Sequence, residues 1–350
     1  MKKIIANDKR VQKKKMKTWK KRLLIIVGIL ILIGGSVFGY FAYKANQSIN
    51  NITGENQSIF DTARSLLSGA ANKQLKSDNA RTNIVLLGMR GENDPNGGLL
   101  ADSIMILSME QESRKVAMVS IPRDLRVEIP GTKGYSKLNA AHAVGFRQNP
   151  PQGLQYTMQV LEEVTGMPMH YGISVDFIAF KGIIDALGGI TVNAESDFYD
   201  PNYDGGIRVK KGLNDLDSDR ALKYAQARLT SNDFDRSRRQ REVMTAIKDK
   251  ADKNGSLRNP IFMLNLLENF GNNVKTTMTV EELRIAADTL GTLDMNNMIQ
   301  KGYDTSVDGP FTSQTLPSIG YVIIPRSGNF TAFQKDIQGI FDTSDTTDQP

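Results

Sequence analysis

An uninterrupted apolar segment lies near the start of this chain and limits where the chain can be located in a cell. From Leu23 to Tyr43 there are 21 residues without a charged side chain, most of them Leu, Ile, Val, Gly or aromatic. As an α-helix rising about 1.5 Å per residue, this segment would be roughly 30 Å long, which matches the hydrocarbon core of a bilayer. The segment therefore predicts one transmembrane helix over residues 23–43.

The charges on either side of this segment predict its orientation. Residues 1–22 contain eleven Lys or Arg and a single acidic residue, Asp8. Such an excess of Lys and Arg marks the cytoplasmic side. We therefore expect a single-pass protein of the cell membrane, with a cytoplasmic tail over residues 1–22 and an extracytoplasmic domain. A cleaved signal peptide is the alternative, but its apolar region normally spans only about 7 to 15 residues.

The basic tail also accounts for the net charge of +6. Without residues 1–22 the chain keeps 33 basic and 37 acidic residues, so its remainder is weakly acidic. A Lys-rich tail can bind nucleic acid, but the orientation rule already explains these charges, and we expect no nucleic-acid partner. The chain has no cysteine, which excludes disulfides, thiolate nucleophiles and cysteine-ligated metals.

The remainder of the chain predicts a stalk, a folded domain and a short tail. Residues 44–80 are rich in Asn, Gln, Ser and Lys, with one weak helical pattern at 58–75, and residues 343–350 are typical of a disordered tail. Between them, residues 81–342 alternate strand and helix patterns. Apolar runs predict strands at 83–88, 103–109, 115–121, 125–129, 170–175, 190–193 and 320–325. Periodic patterns predict helices at 137–146, 152–164, 177–187, 217–229, 236–254, 261–270 and 280–290. We expect an α/β fold of three layers, α/β/α, with a central mixed sheet.

The first candidate site is an Arg-Asp pair directly after a buried strand. Pro122 removes a ladder donor, so Arg123 and Asp124 should emerge where the strand at 115–121 ends. Ligands of open α/β sheets bind at the carboxyl ends of strands. An ordinary surface turn is the alternative for such a pair.

The second candidate site is the arginine-rich stretch 228–241. Asp233 or Asp235 is placed to cap a helix beginning near Arg236, and Arg236, Arg239 and Gln240 would then share one face. Cations at a helix N-terminus repel one another and oppose the helix dipole, and a bound phosphate would relieve both effects. A solvated face neutralised by nearby acids is the alternative.

The third candidate is Asp102, a carboxylate just before an apolar strand. Facing the arginines, it would suit a Mg²⁺ ion held against a diphosphate, although an isolated Asp at a strand start is usually a turn residue. The glycine-rich loop at 88–98 lacks the spacing of a nucleotide-binding P-loop.

Taken together, these segments resemble the LytR-CpsA-Psr family of cell-envelope proteins over roughly residues 80–250. The matching stretches occur in family order and lie at 83–88, 101–103, 119–124, 137–141, 175–180, 185–192, 221–225 and 233–240.

The resemblance implies a membrane-anchored phosphotransferase. Members of the family transfer a glycopolymer from a polyprenyl-pyrophosphate carrier to peptidoglycan, forming a phosphodiester link. The resemblance implies an apolar groove for the prenyl chain and a magnesium ion held by Asp102. The acceptor hydroxyl also needs a proton acceptor, for which Asp124 and Asp233 are the candidates. It also implies a set of diphosphate ligands, namely Arg123, Arg228, Arg236, Arg239 and Gln240.

Three positions depart from the family pattern. Arg90 stands where the family often has Asp, and Leu100 and Gln226 stand where it has Arg. Arg90 is placed to supply the guanidinium that Leu100 lacks, which predicts a variant enzyme. The alternatives are a non-catalytic protein that binds polyprenyl pyrophosphate or wall glycan, and a regulator of envelope genes.

Overall fold

The computed structural model of the protein describes residues 47, 74–92, 94, 98–148, 151–203, 205–228, 232–256, 272–295 and 297–342. The predicted tail at 1–22, the transmembrane helix at 23–43, most of the stalk at 44–80, the helix at 261–270 and the tail at 343–350 lie outside these residues. Within the described ranges, no helix has both the length and the apolar character needed to cross a membrane.

The described domain alternates strands and helices along the chain. In order, the strands are β1 Arg81–Met89, β2 Ala101–Glu110, β3 Lys115–Ser120, β4 Arg126–Glu128, β5 Tyr135–Lys137, β6 Tyr171–Asp176, β7 Ile190–Ala194, β8 Phe198–Asp200, β9 Ile207–Val209, β10 Gly212–Leu216, β11 Val274–Thr276, β12 Ile299–Gly302, β13 Phe311–Leu316 and β14 Gly320–Pro325. The helices are α1 Ala140–Phe146, α2 Gly153–Thr165, α3 Phe177–Ala186, α4 Ser218–Gln226, α5 Asp233–Lys253, α6 Val280–Leu290 and α7 Thr331–Gln338, and a 3₁₀ turn follows at Gly339–Phe341.

A six-stranded sheet in the order β11-β6-β1-β2-β3-β12 forms the centre of the fold. Strand β1 runs parallel to β6 and antiparallel to β2, and β3 runs antiparallel to β2 and parallel to β12. The prediction of an α/β fold with a central mixed sheet is thereby confirmed.

Apolar side chains cover both faces of this sheet because neighbouring residues of a strand point to opposite sides. Val85 and Leu87 of β1 belong to a buried cluster shared with α1, α2 and α7. Ile84 of the same strand belongs to a second cluster, which includes Ile285 and Ala286 of α6. Helices therefore lie on both sides of the sheet.

The predicted strand at 125–129 does not join the central sheet. After β3 the chain turns back at Pro122, whose carbonyl accepts a hydrogen bond from the Leu125 N–H at 3.1 Å. Strand β4 then pairs with β5 in a separate hairpin. The predicted helix at 137–146 begins only at Ala140, because Lys137 belongs to β5 and pairs with Arg126 of β4.

A third buried cluster joins the helices that border the candidate site. Strands β7 and β10 form one two-stranded sheet, β8 and β9 another, and their side chains pack with α3, α4 and α5. Ile184 of α3, Tyr224 of α4 and Val243 of α5 meet in this cluster. Buried packing therefore determines how these three helices are placed against the sheet.

Candidate active site

A cavity of about 790 Å³ opens where β1 and β6 end, between the sheet and helices α3, α4 and α5. One part of its lining is apolar and comes from β1, β2, β6 and the three helices. The apolar lining residues include Leu86, Met105, Ile173, Phe180, Ile183, Leu222, Val243, Met244 and Ile247. The other part is polar and carries Arg90, Asp102, Arg123, Arg228, Arg236 and Gln240.

These six polar residues were all singled out from the sequence, and the fold brings them to one cavity. Arg90 follows β1, Asp102 lies at the start of β2, and Arg123 follows β3. Arg228 follows α4, while Arg236 and Gln240 lie four residues apart on α5. We refer to them below as the polar end of the cavity.

Arg123 and Asp102 form an ion pair at the polar end. Nη1 of Arg123 donates a hydrogen bond to Oδ1 of Asp102, and Nε of Arg123 lies 3.4 Å from Oδ2 of Asp233. The backbone at this position is held from outside the strand, since the Asn139 N–H donates to the Arg123 carbonyl at 3.0 Å. The turn at Pro122 thus places the Arg123 guanidinium beside the Asp102 carboxylate, where β3 ends and β2 begins.

Arg236 is the most deeply buried arginine of the polar end, with 4% of its surface exposed. Its Nη2 donates to Asp233 at 2.9 Å and to the backbone carbonyl of Asp102 at 3.2 Å. Burial lowers the pKa of Arg236 to about 10, which leaves the side chain charged at neutral pH. Its Nε is buried without a hydrogen-bond partner among the described residues, which makes it a candidate donor for an anionic ligand.

Helix α5 begins at Asp233 with a capping box on Asn232, and not near Arg236 with an aspartate cap. The side chain of Asn232 accepts a hydrogen bond from the Asp235 N–H at 2.8 Å, and the Asp235 side chain accepts one from the Asn232 N–H. The prediction that Asp233 or Asp235 caps the helix is wrong, because Asp235 is the third helical residue of this motif. Asp233 is left to pair with Arg236.

Arg239 is the one predicted diphosphate ligand that the structure does not bring to the cavity. Only 1% of its surface is exposed, and its guanidinium lies 4.1 Å from the centre of the Phe198 ring. Nε donates to the Tyr224 carbonyl at 3.0 Å, and Nη2 donates to the Ala227 carbonyl. Arg239 directly precedes Gln240 but contacts β8 instead of the cavity. Its hydrogen bonds hold the C-terminal end of α4.

Both predicted proton acceptors also lie outside the cavity lining. Oδ1 of Asp124 accepts a hydrogen bond from Lys137 at 2.7 Å, in a side chain that is largely buried. Asp233 is occupied by the arginines, with Arg236 at 2.8 Å and Arg228 at 3.9 Å. These two carboxylates orient cations rather than face the cavity.

Two carboxylates that line the cavity were missed from the sequence. Asp176 caps α3, accepting from the Ala179 N–H at 2.9 Å and from Asn273 at 2.6 Å. Asp200, 1% exposed, accepts from the N–H groups of Asn202 at 2.9 Å and Arg228 at 3.2 Å. A capping signal could have revealed Asp176, whereas only the fold brings Asp200 beside Arg228.

The polar end offers a single carboxylate that suits a magnesium ion. Asp176 and Asp200 already accept backbone hydrogen bonds. The Asp102 side chain is 30% exposed, and within the described ranges its carboxylate is bonded only to Arg123. Over the described ranges there is no group of three or more His, Cys, Asp or Glu placed to hold a metal. A magnesium ion bound mainly by phosphate oxygens and water takes only one or two carboxylates, so Asp102 fits that mode.

The three departures from the family pattern lie at or beside the polar end. Strand pairing between Met89 and Ala101 places Arg90 next to Leu100, which is 48% exposed. The Arg90 guanidinium lies 5.8 Å from the Phe177 ring. Gln226 also lines the cavity, and its Nε2 is buried with no hydrogen-bond partner in the described part of the chain. Arg90 therefore contributes a guanidinium to the same cavity as Arg123.

The chain matches a known protein family. A model described as the LytR_cpsA_psr family matches residues 36–314 of the chain. The chain belongs to the LytR-CpsA-Psr family. Among curated relatives of this family, the polyisoprenyl-teichoic acid–peptidoglycan teichoic acid transferase TagU of Bacillus licheniformis is 32% identical over 285 residues, covering 79% of this chain and 82% of the relative. The transferase TagT of Bacillus subtilis is 28% identical over 284 residues, covering 79% and 83%.

Solved structures of the LytR-CpsA-Psr family share the fold. The crystal structure of Bacillus subtilis TagV is 26% identical, with a TM-score of 0.57, over 77% of this chain and all of that chain. A structure of TagT bound to LI-WTA is 22% identical, with a TM-score of 0.57, over 80% of this chain and 98% of that chain.

Proposed function

We propose that this protein transfers a glycopolymer from a polyprenyl-pyrophosphate carrier to peptidoglycan or another cell-wall acceptor. The observation that carries the proposal is the division of one cavity into an arginine-rich end and an apolar end. A soluble anion would require only the first, whereas a lipid-linked diphosphate requires both. The activity of the curated relatives, teichoic acid transfer to peptidoglycan, supports the same reaction class.

The polar end suits the diphosphate. Guanidinium groups bind phosphate oxygens through paired hydrogen bonds, and phosphoryl transfer depends mainly on positioning and on neutralising the phosphate oxygens. A buried donor points the same way, since Nε of Arg236 has no hydrogen-bond partner among the described residues. Gln240, whose amide donates to the Ala225 carbonyl at 3.3 Å, adds a neutral group beside them.

The apolar end suits the prenyl chain. Ile173 from the sheet, Ile183 from α3 and Met244 from α5 bring aliphatic surface from three elements to one concave wall. Removing such surface from water on binding contributes roughly 25 cal/mol per Å². The prenyl chain would therefore be held by burial while the diphosphate is held by charge.

In the proposed reaction, a hydroxyl oxygen of the acceptor attacks the phosphorus that carries the glycan. The bond from that phosphorus to the bridging oxygen breaks, which leaves prenyl monophosphate and forms a phosphodiester. The arginines of the polar end stabilise the charge that develops on the phosphate oxygens. In this scheme the hydroxyl proton passes to water. Asp124 and Asp233, the proton acceptors expected from the sequence, do not line the cavity.

Asp102 is the residue that would hold a magnesium ion against the diphosphate. When bound, such an ion would neutralise phosphate charge and orient the leaving group. The remaining interactions come from the chain itself, with Arg123 and Arg236 on the phosphate oxygens.

We also propose that the protein is anchored in the cell membrane with its domain outside the cytoplasm. The support for this location is the apolar segment at 23–43 with its basic flank, together with a reaction whose donor and acceptor belong to the cell envelope. A carrier embedded in the membrane requires the cavity to lie close to the bilayer surface.

The reaction is tested with a synthetic prenyl-pyrophosphate donor that carries a labelled glycan. We expect the full chain, supplied with Mg²⁺, to move the label to peptidoglycan and to release prenyl monophosphate. Arg123→Ala should reduce transfer by a hundredfold or more, on the order of the loss when one oxyanion-stabilising donor is removed.

Arg208→Ala is the matched control. Arg208 is an exposed arginine of β9 that lies 4.3 Å from the Tyr199 ring and does not line the cavity, so transfer should be unchanged. Saturable donor binding without transfer, equal in the wild type and in Arg123→Ala, would refute the enzymatic proposal.

A further inference from the structure

A two-stranded hairpin lies directly beside the polar end and has no part in the proposed donor site. Its strands, β4 Arg126–Glu128 and β5 Tyr135–Lys137, do not line the cavity. The Leu138 N–H, directly after β5, donates to the Leu125 carbonyl at 2.8 Å, two residues after Arg123. A ligand on this hairpin would therefore be held in a fixed position relative to Arg123.

One face of the hairpin carries charged and aromatic side chains. Residues directly opposite each other in an antiparallel pair point to the same side, so Arg126 faces Lys137 and Glu128 faces Tyr135. Val127, between Arg126 and Glu128, is buried on the other side. We call the four residues Arg126, Glu128, Tyr135 and Lys137 the hairpin face.

Two cations lie directly opposite each other on the hairpin face, an arrangement that destabilises a strand pair. The Lys137 ammonium is compensated by Asp124, whose Oδ1 accepts its hydrogen bond at 2.7 Å. The partly exposed Arg126 side chain forms neither an ion pair nor a hydrogen bond with any described residue. Its guanidinium lies 3.6 Å from the centre of the Tyr135 ring. A bound anion would compensate the charge that remains.

A short series of charged contacts joins the hairpin face to Arg123. Asp124, which accepts from Lys137, has its other carboxylate oxygen 3.7 Å from Nε of Arg123. Arg123 lines the cavity, whereas Arg126 and Tyr135 do not. The hairpin face is therefore next to the diphosphate site but outside the space that the donor fills.

Displacement at phosphorus limits where the acceptor can lie. The attacking and leaving oxygens are roughly in line, so the acceptor hydroxyl approaches from the side opposite the prenyl phosphate. In the proposed reaction the prenyl chain fills the apolar end of the cavity, between the sheet and helices α3, α4 and α5. An acceptor on the hairpin face would lie beside Arg123 and leave that space free.

We infer that the hairpin face binds the acceptor, and that Arg126, stacked on Tyr135, holds a carboxylate of the peptidoglycan peptide stems. The inference rests on the proposed function and gives its acceptor a binding surface. A guanidinium binds a carboxylate through paired hydrogen bonds, and a tyrosine ring offers an apolar face with a polar edge. Peptidoglycan presents carboxylates on its peptides close to the hydroxyls of its sugars.

The test measures binding of soluble peptidoglycan fragments to the full chain by calorimetry. One sample keeps the carboxylates of its peptide stems, and in the other the same carboxylates are converted to amides. Farnesyl pyrophosphate, which has no group in common with the acceptor, probes the donor site. The wild type, Arg126→Gln and Glu128→Gln are compared.

We expect Arg126→Gln to weaken binding of the carboxylate-bearing fragments by about tenfold, the loss expected for a hydrogen bond to a charged group. Glu128→Gln removes an acid from the same face and should strengthen this binding by about twofold, because an exposed charge has a small effect. Binding of the amidated fragments and of farnesyl pyrophosphate should change by less than about twofold in both variants. Arg126 has no hydrogen bond to a described residue, so Arg126→Gln should keep the fold.

Arg208→Gln is the matched control, because Arg208 also lies on a two-stranded sheet and stacks on a tyrosine, Tyr199, at 4.3 Å. It should bind all three ligands as the wild type does. Equal weakening of the charged and amidated fragments in Arg126→Gln, unchanged binding of both, or no binding of fragments to the wild type would overturn the inference. Weaker binding of farnesyl pyrophosphate in Arg126→Gln would also overturn it, by assigning the hairpin face to the donor. If fragment binding depends on Arg126 but the wild type transfers no glycan, the proposed reaction fails while the peptidoglycan site stands.

Discussion

At the scale of single residues, neighbours in the sequence acquire different roles. Arg236 and Gln240 face the cavity, whereas Arg239, between them, is buried against Phe198. The i, i+3, i+4 spacing places all three residues near one side of α5. That side of the helix is wide enough to contact both the cavity and the strand that carries Phe198. Arg239 therefore acts on α4, and its effect on the cavity passes through the segment that carries Arg228.

Arg239→Lys tests this assignment. An ammonium cannot reproduce the guanidinium fork that reaches the carbonyls of Tyr224 and Ala227, so we expect a loss of about 2 kcal/mol in the free energy of unfolding. Urea unfolding measures it. Arg238→Lys, in a partly exposed residue paired with Glu242, should cost less than about 1 kcal/mol.

A binding measurement can contradict the assignment of Arg239 to the support of α4. If Arg239→Lys leaves stability unchanged but binds farnesyl pyrophosphate as weakly as Arg236→Lys, then Arg239 is a diphosphate ligand, as the resemblance implies.

At the scale of elements, the approach to Asp102 depends on a buried histidine. His142 of α1 is 5% exposed, and its Nδ1 is hydrogen-bonded to the Leu99 carbonyl at 3.2 Å. Leu99 precedes β2 and Asp102 by a few residues, so α1 supports the segment that delivers the predicted metal ligand. Burial lowers the pKa of His142, which keeps the imidazole neutral in the folded protein.

This burial predicts a pH dependence with a definite sign. The unfolded chain protonates the imidazole near its ordinary pKa of about 6.5, while the folded protein resists protonation until a lower pH. The stability is therefore fully present above about pH 6.5 and is lost as the pH falls toward the folded pKa. Urea unfolding at pH 7 and pH 5 should show a smaller drop for His142→Gln than for the wild type. An identical drop in both proteins would contradict this prediction.

At the scale of the whole molecule, the end of the described chain is part of the core. The family model ends at residue 314, yet β14 and α7 pack beyond it. Phe333 of α7, 1% exposed, lies 4.7 Å from the Tyr303 ring and 4.9 Å from the Phe311 ring. The Ile323 N–H donates to the Asp124 carbonyl at 3.0 Å, which ties β14 to the loop that carries Arg123.

Phe333→Ala should therefore destabilise the entire domain. Removing a fully buried aromatic ring costs about 3 to 5 kcal/mol through lost burial and the cavity that remains. The free energy of unfolding measures the effect. Tyr321→Ala, in a residue of β14 that is 43% exposed, should cost much less, and equal losses in the two variants would show that this region is not part of the core.

Several features of the site followed from local sequence alone. Arg123 follows an apolar strand and Pro122, and Arg236 and Gln240 share a helical period, so chain-local rules sufficed to select them. Asp200 and Tyr203 had no such signal, because a short hairpin without a strong hydrophobic pattern brings them to the cavity. The strand at 125–129 was recognised, but its sheet partner was not, since pairing depends on a turn and not on the strand's own residues.

Local sequence is sufficient to identify the apolar segment at 23–43 with its basic flank, the alternation of strand and helix, and most of the residues at the polar end. These depend on composition, periodicity and capping, which act over a few residues. Contacts between elements determine which carboxylates face the cavity, that Arg239 holds α4, and that Gln226 has a buried donor without a partner among the described residues. Those outcomes depend on which elements pack together, and packing is a property of contacts between residues far apart in the chain.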